Sequence, residues 1–502
     1  MLASIRSAAV IGVNAYEVII EVDATRGLPQ WTIVGLPLSA VKESRERVGA
    51  ALKNSGFELP PRRLTTNLAP ADIPKSGTAF DLPIAIGILV ATGQLDAEVT
   101  RQCVFMGELG LDGSLRLIRG AMPIARFVAQ RKDGSVLVAP PANIAEASLV
   151  PNLPLVAPVS LAALVEQLKE GRLTCATSSA PPSPPTLSDV DFADVVGQDQ
   201  AKRALEIAAA GNHNVLLLGP PGTGKTMLAR RLPSILPELA NEEALEVIAI
   251  HSVAGLLSEG KAMPCARPFR APHHSISTAG LIGGGSIPRP GEVSLAHLGV
   301  LFLDEILEFP RHVLDSLRQP MEDGEVVLSR AQTSVSYPAR FCLVGAANLC
   351  PCGKSGSSIG MQCRCSPKDI ERYAARLSGP LSDRIDMHVR VGPVPLEALH
   401  VAAPGEKSET IRARVRAARH QRAERAAIDG ARDAAGASTL HAGLDQDARL
   451  LLRSASASIG LSARSYARVT RVARTIAALE GASVICSQHV AEALRYRAPT
   501  AT

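Results

Sequence analysis

The run Gly219-Pro220-Pro221-Gly222-Thr223-Gly224-Lys225-Thr226 constrains this chain more than any other stretch. It follows the apolar run Val215-Leu216-Leu217-Leu218, which reads as a buried parallel strand, and it precedes Met227-Leu228-Ala229-Arg230-Arg231-Leu232, which opens a helix. Strand, glycine-rich loop and helix in that order make the phosphate cradle G-x-x-x-x-G-K-[ST]. The glycines let successive backbone N–H groups curl around a polyphosphate, and the helix N-terminus adds the positive end of its dipole. In this motif Lys225 reaches the β- and γ-phosphates and the Thr226 hydroxyl ligates Mg²⁺. A turn that merely ended a strand would not need all of these positions. The run implies a bound nucleoside triphosphate.

A chain of 502 residues has room for about three domains. Its 46% hydrophobic and 20% charged content suits soluble domains with sizeable cores. No apolar run is long enough to span a membrane, and the N-terminus carries no signal-peptide pattern, so a cytoplasmic protein is expected. A net charge of +5 permits an anionic partner without demanding one. With only 3% aromatic residues, nucleic acid would be held by phosphate contacts rather than by stacked bases. Nine cysteines in so long a chain are not a secreted disulfide framework.

Residues 1–172 alternate β-rich runs, Tyr16 to Val22 and Trp31 to Gly35, with helical stretches such as 39–55, as an α/β domain would. Gly107-Glu108-Leu109, Gly113, Arg119-Gly120-Ala121-Met122 and Val136-Leu137-Val138-Ala139-Pro140 resemble the proteolytic domain of Lon-type proteases. That family uses a Ser–Lys dyad. Its lysine falls on Met122 here, and its serine belongs near Gly77-Thr78-Ala79-Phe80-Asp81, where none stands; Ser76 lies on the wrong side of Gly77. Without a lysine base a hydroxyl nucleophile stays weak, so an assembly or substrate-handling module is expected, not a protease. Lys75, Arg62 and Arg63 form either a phosphate-binding rim or plain solvated charge. Residues 173–190 are small, polar and proline-rich, a linker that would leave the first domain free to reorient.

Residues 191–394 carry the motifs that complete a nucleotide site. Asp191-Phe192-Ala193-Asp194-Val195-Val196-Gly197-Gln198 leads into a helix over 199–210 and then the phosphate loop. About 80 residues after the loop, Val300-Leu301-Phe302-Leu303-Asp304-Glu305 reads as a central strand delivering two carboxylates. Asp304 would hold Mg²⁺ through water, and Glu305 would orient and deprotonate the attacking water. Phe341 to Ala347 is another buried strand, ending in Asn348. Cys350 and Cys352 are followed after ten residues by Cys363 and Cys365. Four thiolates suffice for a tetrahedral Zn²⁺ site, while reduced structural thiols or a redox-sensitive pair remain the competing reading. His273 and His274 are adjacent, which places them poorly for one metal and suits a structural or pore-loop role.

With the run Arg267-Pro268-Phe269-Arg270-Ala271-Pro272-His273-His274-Ser275 and the glycine-rich stretch from Gly280 to Glu292, these motifs resemble the magnesium-chelatase-like branch of AAA+ ATPases. Within it, they resemble the YifB/ComM-type competence proteins. The resemblance covers nearly the whole chain. It implies an α/β fold: an N-terminal Lon-protease-like domain, then an AAA+ P-loop core with a parallel sheet between helices, and over 395–502 a helical C-terminal lid. It implies ATP and Mg²⁺ as cofactors, with Asn348 at the sensor-1 position beside the lytic water. Arg384, in Leu381-Ser382-Asp383-Arg384-Ile385-Asp386, takes the place of the arginine finger that enters a neighbouring subunit's site. Arg464, on a helix capped by Ser462, takes that of the sensor-2 arginine, with Arg468 and Arg471 as further candidates.

The resemblance further implies a hexameric ring that moves along branched or single-stranded DNA, promoting branch migration during natural transformation. Its inserted hairpin with Arg267 and Arg270 would face the pore. Six arginines within 412–425 are either a solvated helix face or a DNA-phosphate track. A chelatase motor subunit, or an assembly ATPase that ignores DNA, are the other classes that share this core. Leu349 and Leu307 stand where the family usually has proline. Both changes are conformational and leave the hydrolytic residues in place.

Overall fold

The computed structural model describes residues 2–176, 190–257, 266–285, 288–329, 334–355, 363–377, 379–394, 405–433 and 443–497. Most of the expected linker (177–189), the start of the expected lid (395–404) and the middle of the cysteine loop (356–362) lie outside them.

The first unit is a mixed sheet. Its strands are β1 (Leu2–Ile11), β2 (Asn14–Thr25), β3 (Gln30–Val34), β4 (Arg63–Ala69), β5 (Cys103–Phe105), β8 (Val136–Val138) and β9 (Leu155–Val156), with β6 (Glu108–Leu109) and β7 (Leu115–Arg116) as a small separate hairpin. The order is β3-β4-β2-β1-β5-β8-β9. β1 and β2 form a long antiparallel pair from Leu2↔Asp23 to Ile11↔Asn14. Along β2, Val18, Ile20 and Val22 are buried in alternation, so one face meets the core. Against that face lies the helix Asp81–Ala91, every residue of which is buried. The expected helix over 39–55 is two helices, Ser39–Lys42 and Ser44–Asn54, divided at Glu43.

The second unit is built on five parallel strands: β10 (Val215–Leu218), β11 (Phe269–Arg270), β14 (Val300–Leu303), β17 (Cys342–Ala347) and β18 (Met387–Arg390), in the order β11-β14-β17-β10-β18. The three central strands are almost continuously apolar because helices cover both faces. Two hairpins are set into this core: β12 (Gly283–Gly284) with β13 (Arg289–Pro290), and β15 (Glu325–Ser329) with β16 (Ser334–Pro338). The helices Ser408–Asp433, Ala463–Leu479 and Ser487–Arg495 close the molecule, the first two packing on the core helix Asp199–Gly211.

The two units are docked, which corrects the expectation of a freely reorienting first domain. The helix Asn241–Ala254 of the second unit lies on the helix Ala121–Arg131 of the first, with Ile248 and Ala249 in one apolar cluster with Met122, Ile124 and Ala125. Burying a side chain such as Ile248 is worth about 1.5–3 kcal/mol, enough to hold a shared core. Ser252 adds polar contacts: its carbonyl accepts the Gly120 N–H at 3.3 Å and its hydroxyl the Met122 N–H at 3.5 Å. Ser76 and Thr78 line a cleft of about 500 Å³ between the units, together with Arg119, Arg289 and Tyr337. Lys75 is not part of any rim: its side chain is buried, whereas Arg62 and Arg63 are exposed.

Candidate nucleotide site

In an open parallel sheet, ligands gather at the carboxyl ends of the strands. Three of the sequence-predicted groups meet there. The loop after β10, the carboxylates after β14 and Asn348 after β17 line one cavity of about 410 Å³ with Gly222, Gly224, Lys225, Thr226, Asp304 and Glu305. The loop is left-handed at Gly222 (φ +79°) and Gly224 (φ +88°), a conformation that favours glycine. A Cβ on Gly219 would stand 2.0 Å from the Val391 carbonyl oxygen, so only glycine fits, whereas at Gly222 it would meet open space. Thr223 turns inward, its hydroxyl donating to the Pro220 carbonyl at 2.9 Å.

Lys225 donates to the carbonyls of Gly219 (2.7 Å) and Pro220 (2.8 Å) and to Asn348 Oδ1 (3.2 Å). Burial lowers its pKa, and Asp304 and Glu305 oppose that shift. The ammonium is therefore parked on weak neutral acceptors beside an open cradle, where a phosphate would be the stronger partner. Thr226 Oγ1 donates to Asp304 Oδ2 at 2.8 Å, which pairs hydroxyl and carboxylate oxygens as an Mg²⁺ site needs. Glu305 is exposed and left-handed at φ +50°. A non-glycine residue held in that region marks strain that a functional position tolerates, and the sequence carries no sign of it. Gln198 also belongs to the site: its amide donates to the carbonyls of Thr223 (3.2 Å) and Gly392 (2.6 Å), tying the loop to the end of β18.

Arg384 and Arg464 lie elsewhere. They share a second cavity, of about 650 Å³, with Glu322, Asp386, Arg468 and Arg471. Asp386 and Asn214 immediately precede β18 and β10, so this basin opens at the amino ends of the same strands. Asn214 holds its wall: its N–H donates to Asp386 Oδ2 (2.9 Å), its amide nitrogen to the Arg384 carbonyl (3.2 Å), and its Oδ1 accepts the Leu343 N–H (2.9 Å). Burial would raise the Asp386 pKa, but the His213 ring, the Arg471 guanidinium and the Asn214 N–H outweigh it and hold this carboxyl well below the usual range. The helix Ala463–Leu479, capped by the Ser462 side chain as expected, is anchored there because His213 Nε2 meets Thr475 Oγ1 at 2.8 Å. Within one chain, then, Arg464 does not reach the phosphate loop.

The cysteines do converge. The Sγ atoms of Cys350, Cys352, Cys363 and Cys365 lie within 4.8 Å of one another. The separations of 3.3 Å (Cys350 to Cys352) and 3.6 Å (Cys363 to each of them) compare with about 3.8 Å for thiolates around a tetrahedral zinc, so the donor set fits that ion. The knuckle also touches the nucleotide loop, since a Cβ on Gly353 would stand 3.2 Å from the Pro221 ring.

The basic residues expected on DNA are mostly occupied. Arg267, 7% exposed, donates to the Pro237 and Leu298 carbonyls and pairs with Glu243; Arg270 forms a two-pronged pair with Glu292 at 2.6 and 2.7 Å. Within 412–425, Arg412 donates to the Ser234 carbonyl, Arg419 to Ala209, Arg422 to Ala210 and Arg425 to Ala482, while Arg414 pairs with Glu206 and Glu406. Arg419 and Arg422 thus satisfy the orphan carbonyls in the last turn of Asp199–Gly211. The run is a clamp on the core, and only Arg416 of the six is exposed. His273 turns its Nδ1 to Ser275 Oγ at 2.9 Å and packs its ring on His274.

Comparison with known proteins gives the family. Three family profiles match: "Subunit ChlI of Mg-chelatase" over residues 20–143, "Magnesium chelatase, subunit ChlI" over 191–399, and "Magnesium chelatase, subunit ChlI C-terminal" over 405–497. The chain is similar to "Competence protein ComM" of Haemophilus influenzae, 46% identical over 99% of this chain and 97% of that protein. It is also similar to "Uncharacterized protein YifB" of Escherichia coli, 43% identical over 99% and 97%. The chloroplastic magnesium-chelatase subunit ChlI of Nicotiana tabacum is 27% identical over 60% of this chain and 71% of its own. Full-length similarity at this level, joined to the parallel sheet and its nucleotide loop, carries one conclusion: the chain belongs to the ComM/YifB family of magnesium-chelatase-like AAA+ proteins.

Proposed function

We propose that the protein is an ATPase whose active site is completed between subunits of a ring, and that the ring drives branch migration or unwinding of DNA. The observation that carries the reading is the split of the site across the sheet. The phosphate loop follows the carboxyl end of β10, and Arg384 precedes the amino end of the neighbouring parallel strand β18, in register from Val215↔Met387 to Leu218↔Arg390. Arg384 therefore serves the next subunit, and Arg464 in the same basin serves with it.

In this reading Lys225 leaves its carbonyl partners for the β- and γ-phosphates, and the backbone N–H groups of the loop cradle them. Thr226 and Asp304 would hold Mg²⁺, which supplies charge neutralisation on the phosphates. Glu305 takes the proton of the attacking water, and Asn348 positions that water. Arg384 stabilises the charge that develops on the transferred phosphoryl group. The four cysteines would hold a structural zinc, which would brace the segment that follows Asn348.

The DNA part rests on the relationship to a protein named for competence, which is closer and longer than that to the chelatase subunit. Arg270 lies in β11 of the core sheet and Arg267 just before it, not on an inserted hairpin as expected, and both are consumed internally, so DNA would be gripped by groups of the two hairpins instead. The test is ATP turnover with and without four-way or forked DNA, together with strand displacement. Stimulation and ATP-dependent movement of the junction are expected. Turnover indifferent to DNA would instead favour an assembly ATPase.

A further inference from the structure

The geometry points to Glu322 as a relay: it holds Arg384 at rest and, on releasing it to a neighbour's ATP, passes that event to the β15–β16 hairpin. This rests on the reading that Arg384 works in the next subunit's site.

Glu322 sits on the short helix Arg318–Asp323. Its Oε1 lies 2.5 Å from Arg384 Nη2, and the carboxylate is 48% exposed where the guanidinium is 11% exposed. Arg384 Nη1 donates to the Pro380 carbonyl at 2.7 Å, and its Nε is buried without a partner among the described residues. A guanidinium offers five donors and two are engaged by Glu322 and Pro380; the buried Nε is out of an anion's reach, so the two Nη groups carry the capacity for a second anion. The Arg384 hydrogen bond also lowers the Glu322 pKa, with Arg464 and Arg468 adding to the field, so Glu322 is the counter-charge of Arg384, while the buried Asp386 pairs with Arg468 and Arg471. A polyphosphate entering from a neighbour brings more negative charge to the same arginines. It competes with Glu322 for Arg384 and repels the carboxylate.

The displaced residue is mechanically connected. Two positions on, Gly324 turns left-handed (φ +71°) and its carbonyl accepts the Ala339 N–H at 2.7 Å, which closes the base of the hairpin at Glu325↔Pro338. The hairpin bears on other parts of the molecule. Val335 stands 2.9 Å from where a Cβ would sit on Gly12, in the turn between β1 and β2 of the first unit. Tyr337 donates to the Pro288 carbonyl at 2.9 Å beside β13, and Leu328 stands 3.3 Å from the Cβ position of Gly283 in β12. A shift of Glu322 is thereby carried to both hairpins and to the first unit.

The experiment is hydrogen exchange over 325–329 and 334–338 in the full-length assembled protein, with and without a non-hydrolysable ATP analogue. Wild-type protein should change exchange there by about fivefold or more when the analogue binds. E322Q should lose that change and, with Arg384 held only by neutral acceptors, hydrolyse ATP about two- to fivefold faster without any other ligand. E322D, which keeps the charge, should retain part of the response. An E322Q hairpin that responds as wild type does would overturn the relay. R384A separates the two ideas. If R384A turns over ATP normally, the shared-site reading fails. If R384A is inactive while E322Q responds as wild type does, the relay alone fails.

Discussion

Lys225→Ala and Arg384→Ala should each be inactive alone and active when mixed. β10 and β18 are parallel and four residues long, so the phosphate loop and Arg384 lie at opposite ends of a strand that spans about 13 Å. Arg384 cannot cross that distance within its own chain while the Asn214 bonds hold its backbone. Loss of a finger supplied by a neighbour costs about 10³–10⁵ in turnover. In an equimolar mixture, a working interface needs an acceptor side with Lys225 and a donor side with Arg384. Random assembly gives each condition to half the interfaces, so turnover should recover to about one quarter of wild type. The assay is steady-state phosphate release across the full range of mixing ratios, above the assembly concentration, with the maximum at equal amounts. If both residues acted within one chain, no subunit in the mixture would be complete. A mixture no more active than its parents would therefore refute the reasoning.

Glu305→Gln should still bind ATP, read with a fluorescent nucleotide, but hydrolyse it about 10²-fold more slowly, since the amide cannot take the proton of water; near-normal turnover would remove Glu305 from its role. Elemental analysis should find about one Zn²⁺ per chain, and a metal-free preparation that stays folded, active and indifferent to added zinc would dismiss the metal. Arg419→Met should lower stability by about 2 kcal/mol in urea unfolding, by orphaning the Ala209 carbonyl, and leave DNA affinity unchanged; weakened DNA binding in a fully stable variant would restore the phosphate-track reading. Burial drops the His388 pKa from 6.5 to about 4. Between those values the unfolded chain takes up a proton that the folded chain refuses, so stability falls as pH falls. The loss at pH 5 is about 2 kcal/mol relative to pH 7.5, and His388→Gln should flatten that slope in urea titrations at the two pH values.

What the sequence disclosed was governed by local rules. The loop from Gly219 to Thr226 is readable because glycine spacing and strand–helix context dictate one backbone path, and the apolar runs before Asp304 and Asn348 are readable because a doubly covered strand must be apolar. The cysteines came together because their two pairs lie close along the chain. Roles that depend on a distant partner were hidden. Arg267 and Arg270 look like free cations until Glu243 and Glu292 are placed beside them. The arginines of 412–425 look like a charged face until the carbonyls at the end of Asp199–Gly211 meet them. Arg464 sits on the expected helix with the expected cap, but His213 and Asp386 dock that helix at the far edge of the sheet. The left-handed Glu305 and the bracing Asn214 belong to no periodic pattern at all.

The opposite placement of the two cavities gives the chain a head and a tail. An interface that joins head to tail cannot be satisfied by a two-fold pair, in which like surfaces meet like. On the shared-site reading, an open row of n subunits holds n − 1 complete sites and leaves one loop and one arginine basin idle at its ends. Only closure engages every loop. The last subunit to join thus completes two sites at once, and the turnover gained on closing the ring exceeds that of any earlier addition.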